Sequence, residues 1–136
     1  MENTGINAQK PLYQSHLEFL GWTIEKESYD EETIFAKNQS GFFLYLRIQD
    51  YAIVLGTYYG TSKYAKSHKL ELLEYCNNAN RTTCAQYSIS DGGMVYVQMF
   101  LPSPYERTTF GKFFELFIGE QSKIMTFPNA NKIFHD

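Results

Sequence analysis

The chain has 136 residues, with 12 lysines and arginines, 15 aspartates and glutamates, and a formal net charge of −3. This length is typical of one domain with its own core, and the interspersed charges argue against nucleic acid or an anionic membrane as a partner. No apolar run reaches the roughly 18 residues of a transmembrane helix, and the N-terminus, "MENTGINAQK", lacks the basic start and apolar stretch of a signal peptide. We therefore expect a single cytoplasmic domain over residues 1–136.

The first half of the chain contains one helix followed by several strands. We expect residues 1–10 to be disordered and residues 11–21 to form a helix, because apolar side chains recur there on one face and Gly21 can end it. A period of two follows in "WTIEKES", "TIFAK", "GFFLYLRI" and "YAIVLGTYYG". The acidic segment 29–32 predicts a hairpin, and the short connection at residues 49–50 favours antiparallel neighbours.

A second helix is expected from Ser62 to about Ala79. Ser62 can cap its start, and the lysines of this segment lie toward solvent. The segment "CNNANR" then places three asparagines in four positions. Because asparagine tolerates left-handed backbone geometry and hydrogen-bonds locally, we expect Asn77, Asn78 and Asn80 to end the helix and turn the chain into the next strand.

The clearest hairpin pattern follows that helix. The segments "CAQYSIS" and "MVYVQMFL" alternate and flank Asp91-Gly92-Gly93, a turn rich in residues that accept positive φ. Apolar residues of both strands are expected to share the core face. The opposite, polar and aromatic face is expected to carry Gln86, Ser88, Tyr96, Gln98 and Phe100.

The last helix is expected to begin at a capping box. Ser103 would be the N-cap, Pro104 the first helical residue, and Glu106 the acid three residues on. An apolar stripe follows, consisting of Phe110, Phe113, Phe114, Phe117 and Ile118, and Leu116 and Ile124 widen it toward a second contact surface. The C-terminal tail, residues 125–136, has apolar side chains with which it can pack back on the domain.

The cysteines and histidines do not predict a metal site or a disulfide framework. Cys76 and Cys84 are expected to be buried free thiols, although a bridge between them is geometrically possible. The histidines His16, His68 and His135 are scattered, with no ligand spacing to a cysteine. We expect no metal and no cofactor.

The order of these elements resembles the YbjN family and, at the level of fold, the type III secretion chaperones. The resemblance covers roughly residues 12 to 124 and is carried by "LEFLGWTIEKES", "LLEYCNNANR", "CAQYSIS", "DGG", "MVYVQMFLP" and "YERTTFGKFFELFIGEQSKI". It implies a small bacterial α+β domain, an antiparallel β-sheet packed against helices in the order α-β-β-β-(β)-α-β-β-α, and commonly a homodimer. Secretion chaperones of this fold bind an extended stretch of a client protein through hydrophobic grooves and strand addition, and YbjN-type relatives are mostly linked to regulation.

We therefore expect a non-enzymatic, protein-binding domain with a chaperone-like or regulatory adaptor role that acts as a homodimer. Its expected partner is another protein or a peptide segment. Aromatic side chains on an otherwise polar sheet face suit such contacts. The candidate partner-binding residues are Phe43, Tyr45, Tyr58, Tyr96 and Phe100. Cross-strand packing that protects a half-exposed sheet is the alternative explanation for these aromatics.

An enzyme would need a nucleophile beside a base, or acids in differing environments, in one pocket. Asp50, Asp91 and His68 are candidates, but both aspartates lie at expected turns, where they serve the backbone. Cys76 lies near a helix C-terminus, where the dipole raises the pKa of a thiol. We expect no catalytic residues. A small-molecule-binding or enzymatic domain with an enclosed polar pocket, and a structural subunit of a larger assembly, stay as alternatives.

Overall fold

The computed structural model describes residues 6–25 and 31–136, except for the side chains of residues 6 and 7. Within these residues the chain forms α1 (Ile6–Phe19), β1 (Thr23–Glu25), β2 (Thr33–Lys37), β3 (Phe43–Ile48), β4 (Ala52–Tyr59), α2 (Lys63–Ser67), α3 (Lys69–Thr82), β5 (Gln86–Ile89), β6 (Val95–Pro102), α4 (Arg107–Gln121) and α5 (Ala130–Phe134). The strands form one sheet in the order β1-β2-β3-β4-β6-β5. The predicted α+β class with an antiparallel sheet is confirmed, and the optional fourth strand is present.

The first helix begins at Ile6, five residues earlier than the sequence pattern predicts. A tertiary contact explains part of this extension, because the Oε1 of Gln9 accepts a hydrogen bond from the backbone N–H of Tyr105 at 2.8 Å. Residues 1–5 of the expected disordered segment lie outside the described residues, as do residues 29 and 30 of the expected acidic turn.

The contacts within the chain divide it into two compact units. Unit 1 comprises Met1–Gly56 and Phe100–Phe114, and unit 2 comprises Thr57–Met99 and Glu115–Asp136. The expectation of a single domain stays a prediction.

In unit 1, α1 packs against β1, β2 and β3. The alternation predicted for β3 is present, since Leu44, Leu46 and Ile48 are at most 1% exposed, whereas Arg47 is exposed. Aromatic side chains fill much of this core in edge-to-face pairs, which are favourable ring geometries. These pairs are Tyr13–Tyr105, Tyr13–Phe110, Trp22–Phe42 and Trp22–Phe114.

The opposite face of the sheet in unit 1 is crowded at one point. Tyr45 of β3 pairs with Gly56 of β4, and the Tyr45 ring lies directly over the glycine. A Cβ atom placed on Gly56 would lie 2.5 Å from both Cζ and Oη of Tyr45. Gly56 therefore leaves room for the tyrosine ring, which is only 6% exposed.

Unit 2 has two helices where the sequence pattern predicts one. The helix is interrupted at His68, whose ring stacks on Tyr64 at 3.8 Å and whose Nδ1 lies 2.8 Å from the Tyr64 carbonyl oxygen. Ser62 caps the start of α2 as predicted, because its Oγ accepts a hydrogen bond from the backbone N–H of Ala65 at 3.0 Å.

The prediction that the asparagine cluster ends the helix is wrong. Helix α3 continues through all three asparagines to Thr82, and the chain becomes extended at Thr83. The side chain of Asn80 instead binds the backbone of Tyr87: the Tyr87 N–H donates to Oδ1 at 2.6 Å, and Nδ2 donates to the Tyr87 carbonyl at 3.0 Å. Strand β5 lies at the edge of the sheet, where backbone groups that face away from the sheet need other partners. Asn80 supplies one at Tyr87.

The predicted β5–β6 hairpin is confirmed. Tyr87 pairs with Val97 and Ser88 with Tyr96, so the buried and exposed faces alternate as expected. Gly93 in the turn has a φ of +84°, a left-handed conformation that glycine adopts without a steric penalty.

Helix α4 starts later than the capping box predicts, and the predicted N-cap is wrong. The N–H of Ser103 donates to the Tyr51 carbonyl at 2.8 Å, so the chain is still held beside the sheet there. The helix begins at Arg107, and the Oε2 of Glu106 accepts a hydrogen bond from the backbone N–H of Thr109 at 2.6 Å. Four phenylalanines of the predicted stripe are buried, whereas Ile118 is 37% exposed.

The C-terminal tail packs on the rest of unit 2. It contains α5, whose Ile133 is fully buried, and the carbonyl of Ile133 accepts a hydrogen bond from the Ser62 N–H at 2.7 Å. Phe127 and Phe134 both meet the ring of Tyr75 edge-on. The high aromatic content of the chain thus supplies a ring cluster to the core of each unit.

Candidate functional site

Three of the predicted partner-binding aromatics lie in unit 1. Phe43 is half-buried and stacks on Phe35 at 5.7 Å, and Tyr45 is almost completely buried over Gly56. Phe100, in contrast, is 54% exposed. Cross-strand packing accounts for much of the Phe43 and Tyr45 surface in this unit, so Phe100 presents the larger accessible side chain.

The other two predicted aromatics meet in unit 2. Tyr58 of β4 and Tyr96 of β6 stack with ring centroids 5.5 Å apart and an interplanar angle of 26°. Tyr58 is 39% exposed and Tyr96 is half-buried. The pair therefore presents an aromatic surface beside polar residues such as Ser88, which pairs with Tyr96 across the hairpin.

Unit 2 also has a groove that the sequence analysis did not identify. We call it the lysine groove; its volume is about 400 Å³, and it lies between the α2–α3 segment and the tip of the β5–β6 hairpin. It is lined by Lys66, Lys69, Leu72, Leu73, Ile89, Ser90, Asp91, Gly92 and Gly93. The groove depends on the break at His68 and on the position of the hairpin tip. In the sequence, the row of solvent-facing lysines was the one feature that could have indicated it.

A smaller groove of about 240 Å³ lies in unit 1 along α1. His16 lines it, and its Nδ1 lies 2.8 Å from the hydroxyl oxygen of Tyr105. The guanidinium carbon of Arg107 lies 5.7 Å from the centroid of the Phe19 ring. Burial, and secondarily the positive charge of Arg107, lower the pKa of His16 below its ordinary value.

The ionisable residues considered for catalysis have differing surroundings. Asp50 is an exposed turn residue, and Asp91 is an exposed residue that lines the lysine groove. His68 is exposed and binds the backbone of its own helical segment. Within the residues that the structure describes, no group of three or more histidines, cysteines and acids could hold a metal ion.

Both cysteines are free, but only one of them is buried. Cys76 is 4% exposed, and burial raises the pKa of its thiol to about 11. Cys84 is exposed, so the expectation that both thiols are buried is wrong for this residue. It lies two residues after Thr82, the last residue of α3.

No helix in residues 6–25 or 31–136 is long and apolar enough to cross a membrane. No protein-family model matches the chain, and no curated protein matches it.

Among solved structures, the chain is similar to the crystal structure of YbjN from E. coli, for which a role as a transcription regulator has been suggested. The TM-score is 0.71, the match covers 98% of this chain and 100% of that chain, and the sequence identity is 16%. An identity this low shows a shared fold and does not transfer a function. The chain has a YbjN-like fold, as its sequence resemblance predicts.

Proposed function

We propose that the chain is a protein-binding domain with a chaperone-like or regulatory adaptor role, and that it acts as a homodimer. The observation that carries this proposal is the stacked, partly exposed pair of Tyr58 and Tyr96 in unit 2. The suggested regulatory role of YbjN, which has the same fold, supports the regulatory part of the proposal by analogy alone.

Tyrosines are favoured at protein interfaces because each one buries a large, rigid surface while its hydroxyl can stay hydrated. The Tyr58 and Tyr96 rings already stack on each other, so a partner would order few additional side-chain torsions on this surface. Such pre-organisation lowers the entropic cost of binding.

The edge of the sheet at β5 offers a less suitable route for binding. Strand addition requires unoccupied N–H and C=O groups on the edge strand, and both groups of Tyr87 are hydrogen-bonded to Asn80. We therefore place the partner on the side-chain surface of the tyrosine pair and not on the backbone of β5.

Exposed apolar side chains support self-association. In unit 1, Phe19 is 75% exposed, Tyr51 is 86% exposed and Phe100 is 54% exposed. Large apolar side chains on the surface are frequent at contacts between protein chains. Light scattering during gel filtration is expected to give twice the monomer mass, and a monomer at all accessible concentrations would contradict the homodimer.

Photo-crosslinking tests the proposed binding surface. A photoreactive phenylalanine analogue replaces Tyr58 in the full chain within cells, and the same analogue at the exposed Glu115 serves as the control. Polypeptides that crosslink at position 58 but not at position 115 are identified by mass spectrometry and purified. The absence of any such polypeptide would argue against the proposal.

The affinity of the purified partner is then compared between the native chain and the Tyr58→Ser, Tyr96→Ser double variant. A central aromatic contact of an interface is typically worth about 2 kcal/mol or more, so the double variant is expected to bind much more weakly. Equal affinities, with both proteins folded by circular dichroism, would remove the tyrosine pair as the binding surface.

A further inference from the structure

We propose that the lysine groove binds a short acidic peptide segment of a partner protein that also carries large apolar side chains. This second surface extends beyond the proposed function at the Tyr58–Tyr96 pair, and neither tyrosine lines the groove. Three properties of the groove support the proposal: fixed walls, an apolar floor and an unbalanced positive rim.

The hairpin wall of the groove is held in place by hydrogen bonds. The Oγ1 of Thr61 donates to the Gly93 carbonyl at 2.6 Å, and the Oγ of Ser90 accepts from the Met94 N–H at 3.0 Å. The stem of Lys66 lies close to Gly93, since a Cβ atom on this glycine would lie 3.3 Å from Lys66 Cγ. These contacts keep the groove open before a ligand arrives, which reduces the cost of binding.

The floor of the groove is apolar and continues onto the surface of α3. Leu72 is 1% exposed and forms part of the floor, whereas Leu73 is 51% exposed. Leu70 lies one turn before Leu73 and is 70% exposed, and residues three positions apart are neighbours on a helix surface. The apolar surface therefore exceeds what a small inorganic anion would use and suits the side chains of a peptide.

The rim of the groove carries more positive than negative charge. Lys66 and Lys69 are exposed, and neither forms an ion pair with another residue in the described part of the chain. Asp91 is the acid in the lining, whereas Glu71 of α3 accepts a hydrogen bond from the Tyr64 hydroxyl at 2.8 Å and does not line the groove. On a chain with a net charge of −3, this local excess of positive charge complements carboxylates specifically at the groove.

The first test is the selection of short random peptides displayed on phage against the immobilised full chain. The enriched peptides are expected to combine aspartate or glutamate with leucine, isoleucine, phenylalanine or tryptophan. One enriched peptide, labelled with fluorescein, is then titrated with the chain and followed by anisotropy at low and at high NaCl. Salt is expected to weaken binding because it screens exposed charges. Enrichment of neutral or basic peptides, or of none, would overturn the proposal.

Charge reversal in the groove is the second test. The Lys66→Glu, Lys69→Glu double variant is expected to weaken peptide binding by about tenfold or more. The matched control is the Arg81→Glu, Lys112→Glu double variant, which changes the net charge equally at exposed positions outside the groove and is expected to bind normally. Equal weakening by both double variants would show that only the overall charge matters and would overturn the proposal.

The Leu73→Ser variant tests the apolar part of the site without a change of charge, and it is expected to weaken the same peptide. NMR shift mapping locates the bound peptide, with changes expected at Leu72, Ile89 and Gly92. Changes at Tyr58 and Tyr96 alone would overturn the groove proposal while supporting the proposed function. If the tyrosine pair binds no partner while the groove still binds the peptide, the proposed function would be contradicted and the groove proposal would be supported.

Discussion

The side-chain amide of Asn80 forms a two-point contact with the backbone of Tyr87. The Tyr87 N–H donates to Oδ1 at 2.6 Å, and Nδ2 donates to the Tyr87 carbonyl at 3.0 Å. An amide side chain offers one donor and one acceptor side by side, as a neighbouring strand does. Asn80 therefore fixes the end of α3 to β5 and occupies the edge of the sheet at this residue.

Replacement of Asn80 by alanine is expected to destabilise the protein. The loss of two hydrogen bonds at about 0.5–1.5 kcal/mol each gives about 1–3 kcal/mol, less a small gain in helix propensity. Urea unfolding measures this difference. Asn77→Ala, at an exposed position of the same helix, is the control and is expected to retain or slightly increase stability. Equal stability of the two variants would contradict the assigned role of Asn80.

The Gly56→Ala variant tests the close packing of Tyr45 on the sheet. The added Cβ would lie 2.5 Å from the end of the buried Tyr45 ring, and overpacking of this kind typically costs about 1–3 kcal/mol. The cost is expected to fall in a Tyr45→Leu background, which a double-mutant cycle measures. Gly60→Ala is the control, since no atom lies within 4 Å of an added Cβ there. An equal cost in both backgrounds would show that the ring is not responsible.

The cap at Glu106 is expected to make stability depend on pH. The backbone N–H of Thr109 is the main cause that lowers the pKa of Glu106 below its ordinary value of 4.5. Because the folded pKa is the lower one, the stabilisation is complete above the unfolded pKa and is lost as the pH falls through the folded pKa. The Glu106→Gln variant is therefore expected to have a lower Tm than the native chain at neutral pH and the same Tm in acid. Glu115→Gln, at an exposed position of the same helix, is the control. A Tm difference between Glu106→Gln and the native chain that stays constant across pH would contradict this account.

The pKa of His16 is expected to lie below 6.5 and to rise in the Arg107→Gln variant. Burial is the larger cause of the lowered pKa and the charge of Arg107 the smaller one, so the variant should move the pKa only part of the way back. NMR titration of the imidazole ring protons measures both values. Since the folded state favours neutral His16, its contribution to stability is complete above pH 6.5 and is lost as the pH falls through the lowered pKa. Lys112→Gln is the control and should leave the pKa of His16 unchanged. An unchanged pKa of His16 in Arg107→Gln would refute the prediction.

The two thiols are expected to differ in reactivity. In the native protein, Cys84 should react readily with a disulfide reagent such as DTNB because it is exposed. Cys76 should react only after unfolding, because its thiol is buried and its pKa is raised to about 11. Cys84→Ser is expected to abolish the native reaction, whereas Cys76→Ser should leave it unchanged. Two equally fast native thiols would contradict the burial of Cys76.

Much of the fold could be predicted from local patterns. Alternation in "GFFLYLRI" identifies Leu44, Leu46 and Ile48 as buried residues of β3, and the glycine-rich turn at residues 91–93 correctly pairs β5 with β6. Both patterns succeed because the side-chain period of a strand and the backbone needs of a tight turn are properties of neighbouring residues. The element order that these patterns give was sufficient to indicate a YbjN-like fold.

The candidate site was predictable only in part. All five aromatics were expected on one sheet face, yet Tyr45 is 6% exposed whereas Tyr58 is 39% exposed. The difference arises because Gly56, the cross-strand neighbour of Tyr45, leaves space for the ring to be covered. The lysine groove requires both the helix break at His68 and the position of the hairpin tip at residues 89–93, and a local sequence pattern cannot relate two segments that lie so far apart in the chain.

The amino-acid sequence by itself determined most of the segments that become strands and helices, together with their apolar faces, because these depend on short-range periodicity. The tertiary structure alone decided where α3 ends and where α4 begins. A capping or turn-forming side chain such as Asn80 can form hydrogen bonds with nearby backbone groups or with distant ones. It binds those backbone groups that the folded chain brings within hydrogen-bonding distance. Asn80 meets Tyr87 in this way, and Gln9 meets Tyr105.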